Sequence, residues 1–378
     1  MIDYHFNELS YLLLMTLKCG IVGLPNVGKS TLFNALTESS NAEVANYPFC
    51  TIEPNRGTVS VPDDRLSKLA ENAGSTKTIP VFIEFVDIAG LVKGASKGEG
   101  LGNQFLSHIR EVDAIIHVLR CFEDFDVTHV YGKVDPLEDA DVIEKELMIA
   151  DFESVEKRVV NLVKKAKSDK SLLPQVELLK KCKEVLSKGQ PVRVLNGKVD
   201  AKELKNLQLL TSKPVLFVCN VLENEAATGN SYSKKVDLMA KEQGVNSVII
   251  SSKIEEEISN LEDTEERQEF LESLDLEEAG LSKIIKSAYS LLDLNSFFTV
   301  GPKEARAWTF PTGAQAPQAA GIVHTDFKKG FIRAEVICCN KLLEVGTETK
   351  AKELGKIRVE GKDYVMQDGD VVYFRFNV

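Results

Sequence analysis

The segment Gly23–Thr31 has the sequence GLPNVGKST, which fits the pattern G-x-x-x-x-G-K-[ST]. An apolar run of strand length, Leu17–Gly23, precedes it, and a helical pattern begins near Lys29. The two glycines let successive backbone N–H groups curl toward a phosphate, and the N-terminus of the following helix adds its dipole. This strand–loop–helix order therefore predicts a phosphate-binding loop on a parallel sheet, and with it the binding of a nucleoside triphosphate.

Two motifs supply the charges that such a site needs. Lys29 can bring a positive charge to the β- and γ-phosphates, which makes it a candidate catalytic cation, and the Ser30 hydroxyl can bind Mg²⁺. A second apolar run, Val81–Val86, ends in Asp87. We expect Asp87 to support the Mg²⁺ ligands indirectly, and the Gly90 N–H to contact the γ-phosphate, since glycine allows a close backbone approach.

Thr51 lies in the segment Tyr47–Asn55, between these two motifs. Mobile switch segments in this position complete the Mg²⁺ shell when the γ-phosphate is present. Thr51 is therefore predicted to be a Mg²⁺ ligand, the alternative being an ordinary loop threonine.

The sequence also predicts slow hydrolysis. Leu91 occupies the position where Ras-like proteins carry a glutamine, and a leucine cannot orient the attacking water. His117 is the candidate catalytic residue, with His108 and Asn26 as further candidates. The alternative for His117 is a core histidine, and Asn26 can instead help to hold a monovalent cation such as K⁺.

The end of the run Val215–Cys219 bears on the base. GTP-binding proteins carry Asn-Lys-x-Asp at this point, whereas this chain has Asn220-Val221-Leu222-Glu223. The lysine that packs over the base is absent, and the acid is one methylene longer. Adenine also lacks the two adjacent donors that such an acid would bind. We therefore expect ATP to be preferred over GTP, the alternative being a variant site that still binds GTP.

Apolar runs of strand length alternate with helical patterns along the chain, which is typical of a parallel sheet covered on both faces. The runs are Leu17–Gly23, Val81–Val86, Ala114–Leu119, Val215–Cys219 and Ser247–Ile250. Between the third and fourth runs, helical spacing over 140–166 and 172–186 predicts an antiparallel helical hairpin. From about Asp293, short β-rich runs punctuated by glycine and proline predict a small separate domain with a covering helix. The runs, each predicted to be a strand, are 297–300, 306–310, 330–338, 363–366 and 371–376.

These patterns predict the following organisation: an N-terminal extension at 1–14, a nucleotide-binding domain at 15–132 and 203–292, the hairpin insertion at 133–202, and a C-terminal domain at 293–378. Met15 lies just before the first strand, so translation is expected to start there. The seven cysteines are scattered without a CxxC pair, which disfavours zinc and points to a reducing, cytoplasmic setting. The longest N-terminal apolar run, Tyr11–Leu17, is too short to cross a membrane.

Charge limits the partners. The net charge of −11 argues against a chain that binds DNA or other nucleic acid as a whole-protein polycation. A local basic group near the C-terminus can contact the RNA backbone, and exposed bases can stack on Trp308 and Phe331, which are close to it in sequence. The alternative is an ordinary domain surface. The members of the basic group are Arg306, Lys328, Lys329 and Arg333.

Three stretches together resemble the YchF, or Obg-like, ATPases, and the resemblance covers the chain from about Met15 to Val378. They are Gly23–Thr31, Asn46–Asn55 and Asp87–Asn103. The altered Asn220–Glu223 motif and the hydrophobic Leu91 are shared with that family. The resemblance implies a Ras-like P-loop domain, the inserted hairpin and a C-terminal TGS domain with a ubiquitin-like β-grasp fold.

The resemblance also implies roles for individual residues. Ser30 and Thr51 hold Mg²⁺, Val221 contacts adenine through its backbone beside Asn220 and Glu223, and a histidine matching His117 is catalytic. The phosphates are held by Asn26, Val27, Gly28, Lys29, Ser30 and Thr31. The partner is the ribosome, chiefly its large subunit, with RNA contact through the TGS domain and no membrane or DNA partner. The chain is then a slow ATP-driven switch in translation or stress, the alternatives being a ribosome-binding module with incidental hydrolysis and a GTPase.

Overall fold

A computed structural model describes residues 17–44, 55–88, 101–124, 126–261 and 263–377. Thr51, Gly90, Leu91 and the N-terminal extension lie outside these ranges, so the expectations for them stay predictions. The chain forms two compact units. The first unit comprises the residues up to 59 together with 84–288, and the second comprises 60–83 together with 289–378.

The strands are, in chain order, β1 (Leu17–Val22), β2 (Arg56–Ser60), β3 (Thr78–Ile79), β4 (Phe82–Asp87), β5 (Ala114–Arg120), β6 (Val215–Asn220), β7 (Asn246–Ile250), β8 (Leu294–Val300), β9 (Ala305–Pro311), β10 (Phe331–Cys338), β11 (Arg358–Glu360) and β12 (Asp370–Phe376).

The α-helices are α1 (Lys29–Val44), α2 (Asp64–Ala73), α3 (Leu101–Glu111), α4 (Pro136–Ala166), α5 (Leu173–Ser187), α6 (Ala201–Asn206), α7 (Ser231–Gln243), α8 (Ser252–Ser259), α9 (Thr264–Ser273), α10 (Gly280–Leu291), α11 (Ala316–Val323), α12 (Thr325–Lys329), α13 (Cys339–Val345) and α14 (Glu348–Glu353). Among the described residues, no helix is both long enough and apolar enough to span a membrane.

The first unit contains a six-stranded sheet in the order β2-β4-β1-β5-β6-β7. The pairs β1–β5, β5–β6 and β6–β7 are parallel, as the apolar runs predicted. Every residue of β5 and β6 is buried, because both faces of these central strands are covered. The carboxyl ends of these strands lie at one edge of the sheet, which is where parallel α/β folds place their ligands.

The insertion between β5 and β6 is the predicted helical hairpin. A short 3₁₀ turn, Lys170–Leu172, joins α4 to α5. The Asp135 side chain caps α4 by accepting from the Glu138 N–H. An apolar cluster that includes Val155, Leu179 and Cys182 lies between the helices and the segment after them. The sequence predicted this element well because its apolar spacing is local and extends over several turns.

The second unit contains a six-stranded sheet in the order β11-β10-β12-β8-β9-β3. The β8–β9 and β10–β12 pairs are antiparallel, and β12 pairs with β8 in parallel. Helix α11 covers one face of this sheet, with Ala316, Ala319 and Ala320 packed beside Phe297 and Phe310. The predicted small β-rich domain with a covering helix is therefore present.

The structure differs from the predicted organisation at residues 60–83. They were assigned to the nucleotide-binding domain, but their contacts group them with the second unit. Helix α2 packs against β8, β9 and α13, and β3 pairs with β9. Arg65 of α2 binds Asp368 at 2.6 Å and lies over the Phe298 ring. Because these partners lie more than 200 residues away along the chain, local sequence patterns could not identify them.

The predicted strand at 363–366 is also wrong. The eleventh strand is Arg358–Glu360, and only an isolated bridge joins Val365 to Gln315. Short edge strands such as β2, β3 and β11 carry too few apolar residues to stand out in a sequence.

Candidate nucleotide-binding site

The predicted phosphate loop connects β1 to α1 at the carboxyl edge of the parallel sheet. Asn26 has φ 63° and Gly28 has φ 91°, so the backbone curls through the left-handed region at two points. The curl surrounds an open depression of about 420 Å³, whose lining residues are Leu24, Pro25, Asn26, Gly28, Lys29, Ser30 and Thr31. The predicted phosphate-binding residues therefore converge on one concave site, apart from Val27, whose side chain is buried.

Gly28 has a steric reason to be glycine besides its backbone angle. A Cβ built at Gly28 would lie 2.2 Å from the Asn220 amide nitrogen and 3.0 Å from the Ser252 hydroxyl. No side chain fits there without displacing Asn220. The phosphate loop is thus packed directly against the end of β6.

Asn220 joins three segments at the sheet edge. Its Nδ2 donates to the Val27 carbonyl at 2.9 Å, and its Oδ1 accepts from the Ser252 N–H at 2.9 Å. Asn220 is 4% exposed, so both hydrogen bonds are shielded from water. The sequence motif predicted that Asn220 contacts the base, but not that Asn220 forms a hydrogen bond to the phosphate loop.

Lys29 and Asp87 form an ion pair across the site, between Nζ and Oδ1. Both side chains are largely buried, at 10% and 16% exposure. The structure therefore brings the predicted catalytic cation and the predicted Mg²⁺-supporting acid into direct contact.

The described residues fit a nucleotide bound with Mg²⁺. The Ser30 hydroxyl and the Asp87 carboxylate are hard oxygen groups, which Mg²⁺ prefers. The buried Ser252 hydroxyl has no hydrogen-bond partner among the described residues, and it lies beside Gly28. An unpaired buried hydroxyl next to a phosphate loop is a group that a ligand can satisfy.

The predicted base-contacting residues differ in their availability. The Val221 N–H donates to the Ile250 carbonyl at 2.9 Å, so only the Val221 carbonyl is left for a base. Glu223 forms an ion pair with Lys253 of α8, and this hydrogen bond holds the pKa of the Glu223 carboxyl below its usual value. Glu223 is therefore ionised and already occupied by a cation. The short sequence Ser251-Ser252-Lys253 directly after β7 is the local sequence signal for this arrangement.

Asn26 contacts a segment that was not predicted to belong to the site. Its Nδ2 donates to the Thr128 carbonyl at 3.1 Å. The next residue, His129, is buried and lies 3.0 Å from the Asp139 carboxylate through Nε2, while its Nδ1 accepts from the Tyr131 N–H. The segment after β5 therefore forms one flank of the phosphate loop.

His117 is not among the residues that line the depression at the phosphate loop. His117 lies on β5 opposite Val22 of β1 and lines a small, partly open cavity of about 10 Å³, room for about one water. None of the residues that line this cavity belongs to the phosphate loop. Its neighbours there include Glu144, Arg193 and Phe217. Burial, and secondarily the charge of Arg193, lowers the pKa of His117 to about 3. His117 is therefore neutral, and its position favours the core histidine over the catalytic residue. His108, the other histidine candidate, lies in the last turn of α3.

A parallel sheet with this loop, followed by a helix and flanked by Asp87 and Asn220, defines the class of P-loop nucleotide-binding proteins. Two family profiles match the chain. Residues 18–165 match a profile described as a 50S ribosome-binding GTPase, and residues 294–377 match the C-terminal profile of YchF GTPases, described as a protein of unknown function.

Relatives extend this match to nearly the whole chain. The ribosome-binding ATPase YchF of Bacillus subtilis is 55% identical over 368 residues, covering 96% of this chain and 100% of the relative. The proteins of the same name from Haemophilus influenzae and Escherichia coli O157:H7 are 52% and 51% identical, each over 366 residues, with the same coverage. The solved structure of the Schizosaccharomyces pombe YchF GTPase is 39% identical, with a TM-score of 0.84 over 95% of this chain and 98% of that one. This chain belongs to the YchF family.

Proposed function

We propose that this chain is a ribosome-binding P-loop ATPase that prefers ATP to GTP and acts as a slow nucleotide-dependent switch in translation or stress. As a member of the YchF family it is a P-loop ATPase, and its relatives carry the name ribosome-binding ATPase. The observation that carries the nucleotide preference is the arrangement of Asn220 and Glu223 at the end of β6.

The preference depends on which hydrogen-bonding groups of Asn220 and Glu223 remain free to bind a base. In a GTP site an aspartate accepts from two adjacent donors of guanine, and the rest of the motif positions it. Here Glu223 is one methylene longer and is paired with Lys253, while both polar groups of the Asn220 side chain are engaged. Guanine would leave its two donors without a matched acceptor, which costs roughly 1–3 kcal/mol per unpaired group. Adenine lacks that pair of donors and avoids this cost.

ATP would enter with Mg²⁺. We assign the phosphates to the backbone of Asn26–Thr31 and to the Gly90 N–H, and the metal to Ser30 and Thr51 with indirect support from Asp87. Lys29 would stabilise the charge that develops on the transferred phosphoryl group. Bound Mg²⁺ neutralises charge on the phosphate oxygens. Asn26 can also contribute to holding K⁺ beside the phosphates.

We assign ribosome docking to the large subunit, with the second unit as the element that meets RNA. Lys329 and Arg333 are exposed there, and salt-dependent contacts of such cations with phosphates supply most nucleic-acid affinity. The expected stacking of bases on Phe331 is not supported, because Phe331 is 6% exposed and packs in the core. The Trp308 ring is also covered, because the guanidinium of Arg306 lies over it, 4.0 Å from its centre. The recognition would therefore be electrostatic. A ribosome partner also places the chain in the cytoplasm.

The test combines turnover with sedimentation. Purified protein is expected to hydrolyse ATP several-fold faster than GTP, and to do so faster when ribosomes are added. Co-sedimentation with ribosomes should weaken when Lys328, Lys329 and Arg333 are replaced by alanine. The matched control replaces three exposed lysines of α7: Lys234, Lys235 and Lys241.

Two results would select the alternatives. If equal turnover of ATP and GTP were measured, the chain would be a nucleotidase without base preference. If ribosome binding were lost without any effect of ribosomes on turnover, the chain would be a binding module with incidental hydrolysis. Truncation before Asp293 is a poor test, because residues 60–83 would lose the unit into which they pack.

A further inference from the structure

Arg120 is the last residue of β5, at the edge of the sheet that carries the phosphate loop. It is among the largest fully buried side chains of the described residues, at 2% exposure. Its backbone neighbour in the sheet is Asn220 of β6. A buried guanidinium at this edge needs a structural or functional reason, because removing a charge from water is costly unless it is well bonded.

The guanidinium is satisfied by backbone carbonyls of the loop that follows it. Nε donates to Phe122 at 3.1 Å, NH1 to Val127 at 2.9 Å and NH2 to Asp124 at 3.2 Å. The charged group also lies 4.7 Å from the centre of the Phe122 ring. A planar fork of N–H donors can bind three carbonyls at once, whereas an ammonium group is a compact point charge. Arg120 thus holds the backbone of the described residues of this loop, 121–124 and 126–128, at three points.

That loop is hydrogen-bonded both to the end of β6, where the base is expected to bind, and to the phosphate loop. At its start, the Cys121 N–H donates to the Asn220 carbonyl at 2.8 Å, and the Cys121 carbonyl accepts from Asn230 Nδ2 at 2.6 Å. At its end, the Thr128 carbonyl accepts from the Asn26 side chain of the phosphate loop. Asn26 holds the left-handed backbone angle from which the phosphate loop curls.

We propose that Arg120 is a positioning residue of the nucleotide site. It fixes the loop residues 121–124 and 126–128, so that the Thr128 carbonyl holds Asn26 in its phosphate-binding conformation. The inference rests on the proposed role of Gly23–Thr31 as the ATP site. Arg120 itself does not contact the nucleotide. Its effect on ATP is transmitted through Thr128 and Asn26.

The experiment is a double-mutant cycle on the full-length chain, read as the dissociation constant of Mg·ATP. Arg120→Lys keeps the charge and loses the fork, and Asn26→Ala removes the donor to Thr128. Each is expected to weaken ATP binding about tenfold, the loss of one or two hydrogen bonds. The double variant is expected to be no weaker than the worse single variant by more than about twofold, since both changes remove one linkage.

The matched control is Arg158→Lys. Arg158 also donates from its guanidinium to a backbone carbonyl, that of Leu207 at 2.7 Å, but it lies in the hairpin. ATP affinity should be unchanged there. A residue that only maintains the fold would lower the melting temperature and leave the ATP affinity of the folded protein intact. That result, or effects of the two substitutions that multiply, would overturn the proposal.

If Arg120→Lys does not fold, Phe122→Leu tests the same proposal with a smaller change. It removes the ring that lies against the guanidinium and keeps Arg120 itself. It is expected to weaken ATP binding by about threefold, again without adding to Asn26→Ala. Native affinity in Phe122→Leu would then overturn the proposal. Lys29→Ala separates this outcome from failure of the proposed function. If Lys29→Ala binds ATP as the native chain does, the ATP site itself is misassigned, whatever Arg120 does.

Discussion

The side-chain amide of Asn220 donates to the carbonyl of Val27 over 2.9 Å, and so the end of β6 and the phosphate loop form one structure. The two residues are 193 positions apart in the chain. The residue expected to recognise the base therefore also supports the loop expected to bind the phosphates. A substitution at the base-binding edge should therefore change phosphate binding, and a substitution in the phosphate loop should change base binding.

Asn220→Ala should destabilise the protein as well as the site. The substitution leaves the Val27 carbonyl and the Ser252 N–H buried without their partner, at a cost of about 2–4 kcal/mol in the free energy of unfolding. Urea unfolding measures it, with Asn295→Ala, whose exposed amide bonds Thr312, as the control. A loss no greater than that of the control would show that water replaces Asn220 and that the link is unimportant.

Gly28→Ala should abolish nucleotide binding. The new Cβ would collide with the Asn220 amide, which is held by two hydrogen bonds and cannot move without breaking them. Gly189 is the matched control, with φ 69° and nothing within 4 Å of its Cβ position. Gly189→Ala should cost only backbone strain, about 1 kcal/mol of unfolding free energy, and leave ATP affinity unchanged. Titration calorimetry distinguishes them, and equal effects of the two substitutions would contradict this packing argument.

His117 should make the protein less stable in acid. Its pKa is about 3 in the folded chain against about 6.5 when unfolded, so between these values the unfolded state binds the extra proton. Stability due to this group is therefore lost as the pH falls through that window, by about 2 kcal/mol between about pH 7.5 and about pH 5. In His117→Leu this part of the pH dependence should vanish. Urea unfolding at the two pH values measures it, and identical pH dependence in both proteins would refute the assignment.

The same variant decides between the two roles of His117. A core histidine predicts that ATP turnover in His117→Leu stays within about twofold of the native rate, because the side chain lines a cavity separate from the phosphate loop. A fall of more than about tenfold with unchanged ATP affinity would instead support the catalytic role. Single-turnover kinetics with saturating ATP provide the measurement.

Lys253→Met should shift base selectivity toward GTP. The substitution frees the Glu223 carboxylate from its cation and makes it available to the donors of guanine. The ratio of GTP to ATP affinity is expected to rise about threefold, in line with the modest strength of an exposed ion pair. Lys241→Met, which removes the partner of Asp237 on α7, is the control and should leave the ratio alone. No change in Lys253→Met would mean that the length of Glu223, not its pairing, excludes guanine.

The parts of the fold that the sequence predicted are those with local signals. The phosphate loop has fixed spacing within nine residues, and the hairpin repeats its apolar spacing over many turns. Helix α2 and strand β3 were assigned to the wrong unit because their partners, such as Asp368, come from the far end of the chain.

The site shows the same division. Lys29 and Asp87 were predicted to act together, and they are in contact. Arg120 carried no motif, since its three acceptors are backbone carbonyls that any sequence supplies. His117 was proposed from its residue type and from the family resemblance, whereas the cavity that its side chain lines depends on which face of β5 it occupies. Long-range register and backbone contacts of this kind become visible only in three dimensions.

We propose that the phosphate loop and the Asn220–Glu223 edge together form a site for ATP rather than GTP. Titration calorimetry of the purified chain with each nucleotide in the presence of Mg²⁺ tests it most directly, with Lys29→Ala as the reference for a disabled site. We predict that ATP binds at least about tenfold more tightly than GTP, and that Lys29→Ala binds neither measurably. Equal affinities, or GTP binding more tightly than ATP, would contradict the account.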